Sequence, residues 1–305
     1  MHITKCNKEN EIHLIFFHGI GDNHKNAQQC LQDLCDRNGL RAIAHTHKYP
    51  ATFQNYITCV IASFLFLGAS VLVPVIILLM NPITPRTVGL VSLAALICIF
   101  LSVMLIIIPF INRDQSLLKP SIEKINELMD KGVRPENIIL FGHSFGGAVA
   151  SAVLKHFADK NVKLRGVIFT STFSSFHTAI EHFPIPQAKI LSMLPPSIFK
   201  KLLKALDLDF DLVNDIRKLR DEGKLNMPII VINSKEDYLV PQPAQLAHAI
   251  ENDVLLRGKL IKTVNSKRCE DDPHNGVLSS WELGENLTDL ILNKIDKTMN
   301  RQYLQ

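Results

Sequence analysis

From residue 57 to residue 111 the chain carries one charged side chain, Arg86, and the rest of the fold has to be compatible with that stretch. It reads ITCVIASFLFLGASVLVPVIILLM, then NPITPRT, then VGLVSLAALICIFLSVMLIIIPFI. Each apolar half is about 24 residues, roughly 36 Å as a helix, against about 30 Å for the core of a bilayer. A helix packed in a water-soluble domain keeps a polar face, and neither half has one. The stretch is therefore expected to form a two-helix transmembrane or deeply inserted hairpin rather than a pair of buried soluble helices. Pro82 and Pro85 break the helix at the turn, while Pro74 at most kinks the first span, as membrane helices tolerate.

Outside this stretch the pattern changes. Apolar or β-branched runs recur at IHLIFF (12–17), LRAIAHTH (40–47), IILF (138–141), GVIFTS (166–171), PIIVIN (228–233) and KLIKTV (259–264). Helix-like segments lie between them, such as 24–38, stopped by Gly39, and 120–131, with Pro120 suited to the first turn and Gly132 to the stop. Strands alternating with helices predict an α/β fold, a mostly parallel sheet flanked by helices. The net charge of +4 over 305 residues comes from evenly scattered acids and bases. With no basic stripe and no basic-aromatic interleaving, a nucleic-acid partner is not expected. The six cysteines form no CxxC pair, and the apolar run near the N-terminus is too short for a signal-peptide core. Reduced, structural cysteines are expected.

The chemistry is concentrated in GHSFGG (142–147), which matches G-x-S-x-G between an apolar strand and the small-residue run GGAVASAVLKH. Such a turn strains the backbone and pushes the serine hydroxyl clear of the sheet, and the glycines remove side chains that would collide. A serine hydroxyl is a poor nucleophile without a base to take its proton, and the base needs an acid to orient it. In folds built on this elbow the chain order is Ser, then Asp or Glu, then His. After PIIVIN comes SKEDYLVP, which puts Asp237 at a strand end, with Glu236 as a solvated neighbour. After KLIKTV comes NSKRCEDDPHNG, with His274 in a loop. Ser144, Asp237 and His274 are the candidate catalytic residues. Asp272 is expected to cap its turn, His143 lies within the elbow and cannot easily reach back to Ser144, and His248 falls on a helix. Acyl chemistry also needs N–H donors for an oxyanion: Phe145, after the nucleophile, and Ile20, in the glycine-bearing segment FFHGIGDN (16–23). HTAIEH (177–182) is one residue too long for a known zinc pattern, so no metal is expected, and no cofactor either. Asn286-Leu287-Thr288 fits a glycosylation acceptor, which matters only in a luminal setting.

GHSFGGAVAS, GVIFTSTFSSF, DFDLVNDI, NMPIIVINSKEDYLVP and DPHNG together resemble the alpha/beta-hydrolase superfamily, over about 12–47 and 115–298. The resemblance is strongest to the branch of membrane-tethered lysophospholipid lipases and protein depalmitoylases. It implies Ser144, Asp237 and His274 as a catalytic triad, with Ile20 and Phe145 as oxyanion donors. Such enzymes usually carry an Arg-Gly-bearing loop after the second strand, and here KYPATF and the apolar stretch replace it.

The parts combine into one expectation. The oxyanion loop precedes the apolar stretch and Ser144 follows it, so an even number of spans, or a re-entrant segment, is needed to keep them together. Flanking bases such as Lys48 and Arg113 place the hydrolase on the cytosolic face by the positive-inside bias. The division is then 1–56, the first part of the hydrolase domain; 57–111, the hairpin; and 112–305, the remainder, with a helical lid over about 171–226. Within the lid, PPSIFKKLLKAL (195–206) sets Ile198, Phe199, Leu202, Leu203 and Leu206 opposite Lys200, Lys201 and Lys204. That pattern suits a membrane-surface helix or one packed on the body. The function expected is a membrane-anchored serine hydrolase that cleaves acyl esters or thioesters of lipids or lipidated proteins. The alternatives are an idle hydrolase-fold scaffold, or a serine peptidase or small-ester esterase.

Overall fold

A computed structural model of the protein describes residues 11–19, 24–40, 42–47, 49, 76, 84–97, 117–184, 195–205, 208–256, 260–267 and 272–292. It divides into two compact units, one formed by Met1–Lys48 with Pro120–Gln305, the other by Tyr49–Lys119.

The first unit is built on six parallel strands: β1 (Ile12–Phe17), β2 (Ala42–Thr46), β3 (Ile138–His143), β4 (Gly166–Thr170), β5 (Ile229–Asn233) and β6 (Ile261–Asn265). Their order across the sheet is β2-β1-β3-β4-β5-β6. The four central strands are buried at every residue, which is why their sequences are nearly unbroken apolar runs. The outer strands β2 and β6 are partly exposed and carry the polar residues His45, Thr46, Lys262 and Thr263. Lysines and other polar groups at an edge discourage pairing with another chain.

Alternation along each strand divides the core in two. Leu14, Phe16, Ile139, Phe141, Ile168, Ile230 and Ile232 meet helices α1 (His24–Arg37) and α8 (Trp281–Ile291) through Leu31, Leu34, Leu283 and Leu287. The other face is covered by α3 (Phe145–Asp159), which buries Val149, Val153, Leu154 and Phe157. Each large apolar side chain so buried contributes about 1.5–3 kcal/mol. Helix α2 (Lys119–Asp130) buries Ile125 and Leu128. Because β2 lies on one side of β1 and β3 on the other, the connections diverge at the carboxyl ends of β1 and β3. That is where an open α/β sheet leaves a crevice.

Between β4 and β5 the chain forms α4 (Phe176–His182), α5 (Pro196–Ala205) and α6 (Leu212–Asp221). Helix α6 buries Leu212, Ile216 and Leu219 and packs against α3, where Lys155 meets Asp215 at 3.1 Å. This part of the expected lid is therefore a layer of the body. On α5, Phe199 and Leu203 are buried while Ile198 is 54% exposed, and Lys200, Lys201 and Lys204 face solvent. The Phe199 ring lies 4.9 Å from the His177 ring of α4, so this face of α5 is turned away from solvent. The Leu202 side chain and Leu206 lie outside the described residues. Asn286 is buried on α8, its amide donating to the Glu282 carbonyl and accepting from Lys262, which removes it as a glycosylation acceptor.

In the second unit, a helix over 85–97 opens with Pro85 and is capped by the reciprocal Thr84 and Thr87 side chains. Val88, Leu90, Leu93, Leu96 and Ile97 are all exposed along it. Most of the expected hairpin, including the whole of 57–75 and 98–111, lies outside the described residues. Among the described residues no helix is long and apolar enough to cross a membrane. Cys30 is half-buried on α1 and Cys35 is a buried free thiol, and the other four cysteines lie outside the described residues.

Candidate active site

Ser144 stands between β3 and α3 with φ 53° and ψ −125°, a conformation that L residues avoid and that places its side chain above the strand end. The neighbours show why the motif needs glycine. A Cβ on Gly146 would lie 2.0 Å from the Phe17 carbonyl oxygen, and one on Gly142 would lie 2.6 Å from Gly147 Cα. The turn is held on three sides: Ser144 N–H donates to the Thr170 carbonyl, while Gly147 N–H and the Thr172 hydroxyl donate to the Ser144 carbonyl. The serine side chain itself is half-buried.

Two strands further along the sheet, the turn after β5 carries Asp237. Its Oδ1 accepts from the backbone N–H groups of Leu239 and Val240, both at 2.9 Å. Gln245 braces the same turn by donating to the Ser234 and Val240 carbonyls. The other oxygen, Oδ2, accepts from His274 Nδ1 at 2.8 Å, with both side chains buried. His274 Nδ1 therefore carries the proton, and Nε2 is left as the basic nitrogen. Asp272 does something else: its Oδ1 accepts from the backbone N–H groups of His274 and Asn275, and its Oδ2 from the Asn275 amide. Those bonds, chiefly the Asn275 ones, hold its carboxyl below the usual range. Glu236 is exposed, and His248 sits on α7 (Leu246–Asn252) paired with Asn252.

The loop after β1 closes on the serine from the opposite side. A Cβ built on Gly19 would come within 3.3 Å of Ser144 Cβ and 3.6 Å of its Oγ. Ile20 is the next residue along and lies outside the described residues. Phe145 opens α3, and its ring packs edge-on against Phe176 and Phe210. Among the described residues no hydrogen bond joins Ser144 Oγ to His274. In unliganded sites such bonds are often open and tighten with substrate. The two residues are nonetheless fastened to adjacent positions at the end of β4, since Thr170 accepts from Ser144 N–H and the Ser171 hydroxyl donates to the His274 carbonyl at 2.7 Å.

Four residues of this site escape sequence reasoning: Thr170, Ser171, His143 and Asn275. Ser171 adopts φ 47°, and nothing in a run of Thr and Ser marks that conformation. His143, excluded as a base by its place in the elbow, turns away from Ser144 toward Thr170 and Asn275. Burial, and then the neighbouring His274, lower its pKa to about 3.

A family model described as a PGAP1-like alpha/beta domain matches residues 109–181, a stretch that contains β3, the elbow and β4. No curated protein matches the chain. Several solved structures are similar. TT1662 from Thermus thermophilus is 14% identical, over 92% of this chain and 89% of that one, with a TM-score of 0.48. Carboxyl esterase 2 from Tuber melanosporum is 13% identical, over 95% and 80%, with a TM-score of 0.49. An alpha-beta hydrolase from Vibrio vulnificus is 13% identical, over 92% and 73%, with a TM-score of 0.45. Likenesses this distant say nothing of activity, and the sheet and its elbow speak for themselves. Six parallel strands flanked by helices, with a strained serine between β3 and the helix that follows, make this an alpha/beta-hydrolase fold.

Proposed function

We propose that the protein is a membrane-anchored serine hydrolase that cleaves an acyl ester or thioester of a lipid or a lipidated protein. The observation that carries this reading is the buried Asp237–His274 hydrogen bond, in loops after β5 and β6, within a sheet whose β3 ends in the strained Ser144. In this reading His274 Nε2 takes the proton of Ser144 as its Oγ attacks the acyl carbonyl. Asp237 holds the imidazole in the required tautomer and stabilises the imidazolium. The oxyanion of the tetrahedral intermediate receives hydrogen bonds from the Phe145 and Ile20 N–H groups. His274 then protonates the leaving alcohol or thiol, and water hydrolyses the acyl-enzyme by the same route in reverse.

The lipid part of the reading rests on the apolar stretch. On the helix over 85–97, Val88, Leu90, Leu93, Leu96 and Ile97 all face outward, a distribution that suits hydrocarbon and not water. The hairpin would hold the enzyme at a bilayer, on its cytosolic side, where acyl substrate is locally concentrated. The resemblance of the rest of the sequence to membrane-tethered lysophospholipid lipases and depalmitoylases supports a substrate of this kind. The test is to replace residues 57–111 by a Gly/Ser linker and to assay two substrates. Hydrolysis of a short soluble ester should persist, while activity on liposome-embedded acyl substrate should fall steeply. Equal losses on both, in a folded variant, would contradict the anchor.

A further inference from the structure

The candidate base is carried by a loop, and a loop must be held if His274 is to stay at a fixed distance from Ser144. Two fastenings are visible. The Ser171 hydroxyl holds the His274 carbonyl, and a chain of side chains runs from Asp272 through Asn275 and His143 to Thr170. The polarity of that chain follows from its first member. Asp272 takes the Asn275 amide nitrogen at 2.8 Å, so the Asn275 carbonyl faces His143 and can only accept. His143 Nε2, at 3.2 Å, must therefore carry the proton. Its Nδ1 is then a lone pair, which accepts from the Thr170 hydroxyl at 3.1 Å. The ring is buried, and its centre lies 5.1 Å from that of His274.

We infer that His143 is a positioning residue, a neutral brace that ties the His274 loop to the ends of β3 and β4 and so sets the separation of base and nucleophile. The geometry suits that role in two ways. His143 immediately precedes Ser144 on β3, so any movement of the brace is passed to the elbow. Its partner Asn275 immediately follows His274, so the other end of the brace acts on the base. Burial keeps the imidazole uncharged beside His274, where a cation would oppose protonation of the base.

This inference rests on the serine-hydrolase reading, and the experiment separates the two. The full chain in detergent is prepared as wild type, His143→Phe, His143→Gln, Asn275→Ala, and the double variant His143→Phe with Asn275→Ala. His143→Phe should lower kcat on a short ester, and the rate of fluorophosphonate labelling, by about 10- to 100-fold, with KM changed by less than about twofold. Gln carries an amide nitrogen near the place of Nε2 and should recover most of the loss. The double variant should be no slower than the worse single one, because both break one link. Should His143→Phe fail to fold, Asn275→Ala, at an exposed position, removes the same link without touching the core. Labelling at the wild-type rate, a Gln variant as damaged as the Phe variant, or losses that multiply would each overturn the brace. If the wild type neither hydrolyses nor is labelled, the functional reading fails by itself. The brace is then judged from imidazole nitrogen resonances in histidine-labelled protein. An Nε2–H tautomer at His143, with the His274 Nδ1–H signal displaced in Asn275→Ala, upholds it; an Nδ1–H tautomer or an unmoved His274 signal overturns it.

Discussion

At the scale of single residues the site separates two aspartates that lie close to one histidine. Asp237 reaches the imidazole of His274 with one oxygen and is steadied by two backbone N–H groups on the other. Asp272 spends both oxygens on its own turn. Asp237→Asn should therefore lower turnover about 10⁴-fold, as loss of the tautomer-fixing acid does. Asp272→Asn keeps a capping oxygen and should cost less than about tenfold, since Asn caps nearly as well as Asp. Steady-state kinetics on a short ester checks both, and the reverse order would mean that the orienting acid is Asp272. The chain order of Ser, Asp and His was legible because each follows an apolar run that ends in a polar loop. The brace through His143 and Asn275 was not. It joins residues 132 apart in the chain, and a hydrogen bond of that span leaves no local pattern.

At the scale of elements, the four central strands were readable because burial on both faces demands uninterrupted apolar sequence. The outer strands were readable only to within one or two residues. β2 begins at Ala42 and β6 at Ile261, where partial exposure admits polar side chains and blurs the ends. The segment between β4 and β5 was legible as helical but not as to where each helix goes. An amphipathic stripe says that a face is covered, and not by what. On α5 the covered side carries Phe199 and Leu203, with the Phe199 ring against His177 of α4, and this sets the prediction. Phe199→Ala should destabilise the protein by about 3–5 kcal/mol, as a large buried aromatic does. Ile198→Ala, one residue earlier and exposed, should stay within about 0.5 kcal/mol. Denaturant melts of the two variants decide it. A Phe199→Ala variant as stable as wild type would free α5 to lie on a membrane surface.

At the scale of the whole molecule, several imidazoles are held neutral. His45 is lowered to about 4 by burial and then by His13, with which it shares a hydrogen bond at 3.0 Å. His47, bonded to Ser121, is lowered to about 3 by burial, and His143 likewise. In the unfolded chain these groups titrate near 6.5. Between about pH 6.5 and their depressed folded values the unfolded state binds more protons, so stability is fully present above 6.5 and falls on acidification. Each such imidazole adds a slope of about 1.4 kcal/mol per pH unit within its window. Urea midpoints should therefore drop between pH 7.5 and pH 4.5, and a flat profile would mean that the histidines are hydrated and free to charge.

The strained turn at Ser144 and the buried Asp237–His274 pair have a joint purpose in the proposed reading only if Ser144 is a nucleophile. The most direct measurement is treatment of the full chain with a fluorophosphonate, followed by mass spectrometric location of the adduct. The account predicts a single adduct on Ser144, absent from Ser144→Ala and strongly slowed in Asp237→Asn. No adduct on the folded wild-type protein, or an adduct that survives in Ser144→Ala, would contradict it.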